Sequence, residues 1–253
     1  LNRRDMKLMP PEGLNDQEKA RWLGWGNKRG MGEGWMPNDT MTIEEARQWK
    51  YQRYIKDYLA CIKSVDDNIG RVLKYLDDNG LAENTMVVYT SDQGFYLGDH
   101  GWFDKRFMYE PSLKMPFLLR YPAMAKKQKE NNDIIANIDF APTILDIAQV
   151  PIPKEIQGHS FANNIAGNTP EDWQKSMYYH YYEFPFWHHV QPHYGIRGER
   201  YKLIHFYYNI DEWEFYDLEN DPDEMNNAID DPQYAEIIAN MKVELAERQV
   251  DYK

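Results

Sequence analysis

The sequence predicts an α/β fold: part of a mixed sheet flanked by helices, followed by a small antiparallel sheet with a terminal helix. Three observations predict it. Apolar residues recur at helical spacing over 42–79; short apolar runs follow at 86–89 and 117–121, with a helical stretch at 140–148; and beyond Pro151 and Pro153 the pattern becomes short and aromatic-rich. Helices alternating with strands indicate an α/β sheet, and closely spaced short strands an antiparallel one.

In chain order, residues 1–41 read as a loop-rich segment of the first domain. Pro10, Pro11, Gly13, Gly24, Gly26, Gly30, Gly32, Gly34 and Pro37 break any periodicity, and Trp22, Trp25 and Trp35 could pack on the domain or stack on a sugar ring. Thr42 and Glu45 form a Thr-x-x-Glu capping box, and Tyr51, Tyr54, Ile55, Tyr58, Leu59, Ile62, Val65, Ile69, Val72, Leu73 and Leu76 mark one helical face. That face is expected to be core, Cys61 within the helix to be a buried thiol, and Gly80 to supply the stop. The length of the helix suggests a bend or break.

Met86 to Tyr89, four apolar residues between Thr85 and Thr90, suit a strand buried on both faces, of the parallel-sheet kind. With the run at 117–121 and the helix at 140–148 it completes the first domain, assigned to residues 42–170. The second, 171–253, contains runs Met177–Tyr182, Tyr194–Arg197, Tyr201–Phe206 and Trp213–Tyr216. Its last helix begins near Asp231-Pro232 and buries Ile237, Ile238, Met241 and Leu245.

Composition excludes several classes of function. With 42% hydrophobic and 15% aromatic residues the chain can build a core, so it is not disordered. Its 29 basic and 41 acidic residues give a net charge of -12, which repels nucleic acid, so any polyanion must meet a local basic pocket. A single cysteine rules out an internal disulfide, and no run of 18 apolar residues provides a membrane span.

The chemistry concentrates after the strand at 86–89. Ligands of open α/β sheets collect beyond the carboxyl ends of strands, where Asp92 and Gln93 stand. Both offer the oxygen donors that Ca²⁺ and Mg²⁺ prefer, and Gly94 lets the backbone turn away. His100 can move a proton near neutral pH, Lys105 is a compact positive charge, and Arg106 can clamp an anionic or hydroxyl group with two hydrogen bonds. Singly, each also fits a turn or a surface ion pair. Together they read as a site.

The motifs carry further. Ser91-Asp92-Gln93-Gly94, Gly98-Asp99-His100-Gly101, Asp104-Lys105-Arg106, Tyr109-Glu110 and Pro116-Phe117-Leu118-Leu119-Arg120-Tyr121-Pro122, then Ala136-Asn137-Ile138-Asp139, Gly158-His159-Ser160, Gly195-Ile196-Arg197 and Glu214-Phe215-Tyr216-Asp217, resemble the second half of type I sulfatases. These are formylglycine-dependent enzymes of the alkaline phosphatase-like superfamily. The resemblance is nearly continuous from Thr42 to Asn227.

It implies that Asp92 and Gln93 are the later two ligands of one Ca²⁺ shared with ligands upstream, that Lys105 contacts the sulfate and supports the leaving oxygen, and that His100 binds substrate near the scissile ester. His193-Tyr194-Gly195 is similar to a segment of N-acetylglucosamine-6-sulfatase-like members, which makes His193 a candidate for sugar recognition, with Phe184, Trp187, His188 and His189 in a nearby loop. The implied partner is a sulfated carbohydrate, and the implied setting periplasmic or secreted. Alternatives are a choline or aryl sulfatase or a phosphonate monoester hydrolase of the same superfamily, or a non-catalytic relic that binds sulfated glycan.

One departure stands out. Cys61 is followed by Ile62-Lys63-Ser64-Val65, which is not the segment that matures to formylglycine; the family's paired aspartates are absent, and no histidine precedes His100. The reading is therefore a C-terminal half whose nucleophile, remaining metal ligands and N-terminal partner segment lie upstream. A purified polypeptide beginning at Leu1 is expected to release no sulfate from a sulfate ester, and turnover measured with it would overturn that reading.

Overall fold

A computed structural model describes Gly13, Asn15 and residues 41–125, 130–185, 188 and 190–252. Trp22, Trp25, Trp35, Trp187 and His189 lie outside the described residues. The elements are α1 (Ile43–Asp78), β1 (Val87–Thr90), β2 (Tyr96–Leu97), β3 (Phe103–Asp104), α2 (Glu110–Leu113), β4 (Phe117–Arg120), α3 (Phe140–Ile147), α4 (Ala162–Ala166), β5 (Ser176–Tyr181), β6 (His193–Gly198), β7 (Tyr201–Phe206), β8 (Glu212–Asp217) and α5 (Ala235–Asp251). None of the described helices is long and apolar enough to cross a membrane. The chain divides into two compact units, Leu1–Ala82 with Phe95–Asp104, and Glu83–Gly94 with Lys105–Lys253.

In the first unit, α1 starts at the expected box: Thr42 Oγ1 accepts from Glu45 N at 3.3 Å while Glu45 Oε2 accepts from Thr42 N at 2.8 Å. Gly80, at φ 66°, ends it. The helix runs for 36 residues without the break that its length suggested. Tyr58 stacks on Phe95 at 5.9 Å, and the Tyr51 hydroxyl donates to Leu97 O at 3.3 Å, so the N-terminal aromatic turns cover the β2–β3 hairpin. Farther along, Leu59, Ile62, Val65 and Val72 are exposed, and so is Cys61, which corrects the expected buried face and thiol. Periodicity identifies the face that favours burial, but not what covers it.

In the second unit, β1 pairs with β4 antiparallel, Val87 opposite Arg120 and Thr90 opposite Phe117. The expected strand was of the parallel kind and buried on both faces; instead Val88 is 40% and Leu118 67% exposed. An apolar run reports what a strand's faces require and is silent on the direction of its neighbour. Behind the pair, Phe117 stacks on Phe140 of α3 and meets Phe161 edge-on, both at 5.7 Å.

Two of the motifs meet here. Asp139, fully buried, accepts from Ala136 N and Gln174 Nε2 at 2.7 Å and from His159 N at 2.9 Å. A Cβ on Gly158 would lie 2.0 Å from Ile138 O, so only glycine allows the two segments to come this close.

Strands β5 to β8 form an antiparallel meander in chain order. On one face Ile196, Leu203 and Phe215 pack against Ile238, Met241 and Leu245 of α5, as the spacing predicts. On the other face, a Cβ on Gly195 would lie 2.3 Å from Leu203 O and 2.5 Å from Met108 Sδ, so the glycine makes room for Met108. Beside it lies a buried charge network. Glu110 binds Arg197 Nη2 at 3.0 Å and Lys202 Nζ at 2.8 Å; Lys202 also lies 2.6 Å from Glu224 Oε1, and Glu224 Oε2 accepts from Glu110 N at 2.6 Å.

Burial pushes the Glu110 carboxyl up, but the hydrogen bonds of Arg197 and the charge of Lys202 outweigh it and hold the group at about 2. For Glu224 burial prevails over Lys202, and its carboxyl sits above its ordinary value. Glu110's depressed value means that its stabilisation is fully present above about pH 4.5 and is lost as pH falls toward about 2; Glu224 has the opposite sign. Lys202→Met in the full-length protein is expected to destabilise the fold by about 3 kcal/mol, since it leaves the buried Glu224 without its cation and Glu110 with Arg197 alone, and the shift of the denaturant midpoint measures it.

Candidate functional site

In the second unit, Asp92 and Gln93 stand in the turn that leaves β1. Asp92 is exposed; its Oδ1 accepts from Ser91 Oγ at 3.3 Å, and its carbonyl accepts from Asn137 Nδ2 at 3.0 Å. The turn is fixed one residue later, where Gly94 N donates to Ser112 O at 2.7 Å and a Cβ would stand 2.2 Å from Pro111 O. The carboxylate of Asp92 and the amide of Gln93 are hard oxygen donors that fit part of a cation's ligand set. Among the described residues, no group of three or more His, Cys, Asp or Glu side chains could hold a metal ion.

Lys105 and Arg106 follow the hairpin of the first unit and belong to the second. Lys105 is half-buried and has no ion-pair partner among the described residues. Arg106 adopts φ 115°, a region costly for a side chain with a Cβ. Its amide donates to Ser112 Oγ at 2.9 Å, its carbonyl accepts from Tyr179 Oη at 2.7 Å, and its Nη2 lies 2.7 Å from His188 Nε2.

His193, expected to recognise sugar, lies at the start of β6, fully buried. Phe206, Phe107, Tyr181 and Tyr179 surround its ring at 5.1–5.7 Å. Its Nδ1 lies 2.8 Å from Gln191 O, and its Nε2 is buried without a hydrogen-bond partner among the described residues.

In the first unit, His100 sits at φ 54° in the turn between β2 and β3, flanked by Gly98 at φ 125° and Gly101 at φ 77°. Its ring stacks on Trp102 at 5.7 Å and meets Tyr96 edge-on at 6.1 Å. The aromatic support fixes the ring while leaving it partly exposed.

Two members of this arrangement were not legible as site residues: Asn137, which holds the Asp92 carbonyl, and Ser112, which touches both Gly94 and Arg106. Asn137 stood only as one letter of a motif, and a lone serine in a Tyr-Glu-Pro-Ser run carries no signal of its own.

Residues 16–150 match the family model "Sulfatase", and residues 98–251 match "N-sulphoglucosamine sulphohydrolase, C-terminal". The chain is 53% identical over 207 residues to an N-acetylglucosamine-6-O-sulfatase of Bacteroides thetaiotaomicron, covering 81% of this chain and 37% of the relative. It is 38% identical over 120 residues to an N-acetylglucosamine-6-sulfatase of Bos taurus, covering 47% of this chain and 21% of that one. A solved structure of a protein in complex with its substrate D-glucosamine-2-N,6-O-disulfate superposes with a TM-score of 0.80 at 44% identity, covering 94% of this chain and 48% of that chain. The chain thus spans less than half the length of each of these proteins.

Burial, followed by the nearby His180, lowers the His193 imidazole to about 4, although its contacts to the Gln191 and Arg106 backbones work the other way. The unfolded chain therefore takes up this proton first, and His193 subtracts from stability as pH falls from about 6.5 to about 4. An imidazole titration by NMR should find His193 neutral at pH 5.5.

Proposed function

The chain belongs to the sulfatase family, and we propose that it is the C-terminal part of a sulfuric ester hydrolase that removes sulfate from a sulfated amino sugar such as 6-O-sulfated N-acetylglucosamine. The observation that carries this reading is the 53% identity with an N-acetylglucosamine-6-O-sulfatase across most of the chain. The two-stranded β1–β4 pair supports it, since its open edges and the exposed Val88 and Leu118 on its opposite faces suit further chain from the same protein.

Each residue then has a role. Asp92 and Gln93 are two of the oxygen ligands of one Ca²⁺, the others lying upstream with the formylglycine. When bound, the ion supplies Lewis-acid neutralisation of charge on the sulfuryl oxygens. Lys105, without an ion-pair partner among the described residues, is available to an anionic ester; its ammonium holds positive charge where the leaving oxygen gains negative charge. Arg106 forks onto a further anionic or hydroxyl group of the substrate, oriented by its contact with His188. His100, its ring braced by Trp102, hydrogen-bonds the substrate close to the ester. His193, buried against Phe107, supports the adjoining Lys105–Arg106 segment.

The experiment is sulfate release from 6-O-sulfated N-acetylglucosamine by the full-length protein. Asp92→Ala and Lys105→Ala are each expected to lower kcat/KM by about a hundredfold or more, the cost of removing one fixed charge-stabilising group. Activity confined to aryl or choline esters would assign the protein elsewhere in the superfamily. Binding of sulfated sugar without turnover would make it a relic.

A further inference from the structure

The buried Ser112 touches two of the pieces of the second unit that carry candidate site residues. Its backbone carbonyl accepts from Gly94 N at 2.7 Å, one residue beyond Gln93. Its hydroxyl accepts from Arg106 N at 2.9 Å, one residue beyond Lys105. It is only 4% exposed and lies in the four-residue helix α2, whose first residue, Glu110, is anchored to the C-terminal sheet by Arg197 and Lys202. The two loops are therefore referenced to one residue that the sheet immobilises.

The Arg106 peptide needs such a reference. At φ 115° an arginine is strained, and surrounding contacts must hold it there. Ser112 Oγ grips its amide and Tyr179 Oη, at 2.7 Å, the carbonyl; burial pushes the Tyr179 phenol up to about 12, so it stays a neutral donor at working pH.

We infer that Ser112 is a positioning residue: its carbonyl and hydroxyl hold the Asp92–Gln93 turn and the Lys105–Arg106 segment in one register, with Tyr179 closing the clamp on the Arg106 peptide. The role in turnover rests on the sulfatase reading above; the clamp itself does not.

The test uses the full-length protein and two variants that each delete one hydroxyl, Ser112→Ala and Tyr179→Phe. Ser112→Ala keeps the carbonyl that anchors Gly94, so only the Lys105–Arg106 side is released. The expected result is faster amide hydrogen exchange at Arg106 with exchange at residues 92–94 unchanged, and kcat lower by about tenfold to a hundredfold, the scale of a small misplacement of reacting groups. The Ca²⁺ concentration for half-maximal activity and the thermal midpoint should stay at the parent's values, which general loosening of the fold would not leave in place. In the double variant the loss should be smaller than the product of the single losses, because both hydroxyls hold one peptide.

Unchanged exchange at Arg106 in Ser112→Ala overturns the inference, as does a kcat within twofold of an active parent. A parent that hydrolyses no sugar sulfate, with exchange at Arg106 still accelerated in the variant, overturns the substrate reading and leaves the clamp standing.

Discussion

Glu110 is the residue that anchors the segment between the second unit's candidate site residues and its sheet. It lies between Arg197 at 3.0 Å and Lys202 at 2.8 Å, with Lys202 fully buried and shared with Glu224. Removing such charges from water is expensive, and a buried ion pair is weak evidence of stability for its own sake. What it provides is register. The two cations stand opposite each other on β6 and β7, so only one placement of α2 against the sheet satisfies all four groups. Tyr109 adds a second tie, donating to Glu214 Oε2 at 2.7 Å, where Tyr216 also donates.

That register reaches the chemistry through backbone. From Glu110 the chain runs two residues forward to Ser112 and four back to Arg106, and the loop-facing atoms of Ser112 are those that meet Gly94 and Arg106. The glycines in the motifs follow the same logic. Gly94, Gly158 and Gly195 each press against a neighbouring carbonyl at a distance no Cβ could tolerate. At these three motif positions the letter in the sequence marks a place where two backbones meet.

Much of this was legible. The capping box of α1, the four C-terminal strands and the inward face of α5 follow from local periodicity, which depends on each element's own residues. Asp92, Gln93, His100, Lys105 and Arg106 were legible as candidates because their side chains are unusual company after an apolar strand. Properties that arise between elements were not. The antiparallel partner of β1, the exposure of Cys61 and the burial of His193 depend on which surfaces meet. Ser112 and Asn137 act partly or wholly on main-chain atoms, and a one-letter code does not advertise a hydrogen bond to a carbonyl.

The meander of β5 to β8 pairs only strands that follow one another in the chain, whereas Glu110 reaches Arg197 across 87 positions and Tyr109 reaches Glu214 across 105. Local pairings close short loops and form early; distant ones must wait until the loop entropy has been overcome. The sheet is therefore expected to assemble first and serve as a template, and the segment bearing Lys105 and Arg106 to take its shape among the last parts of the unit to fold.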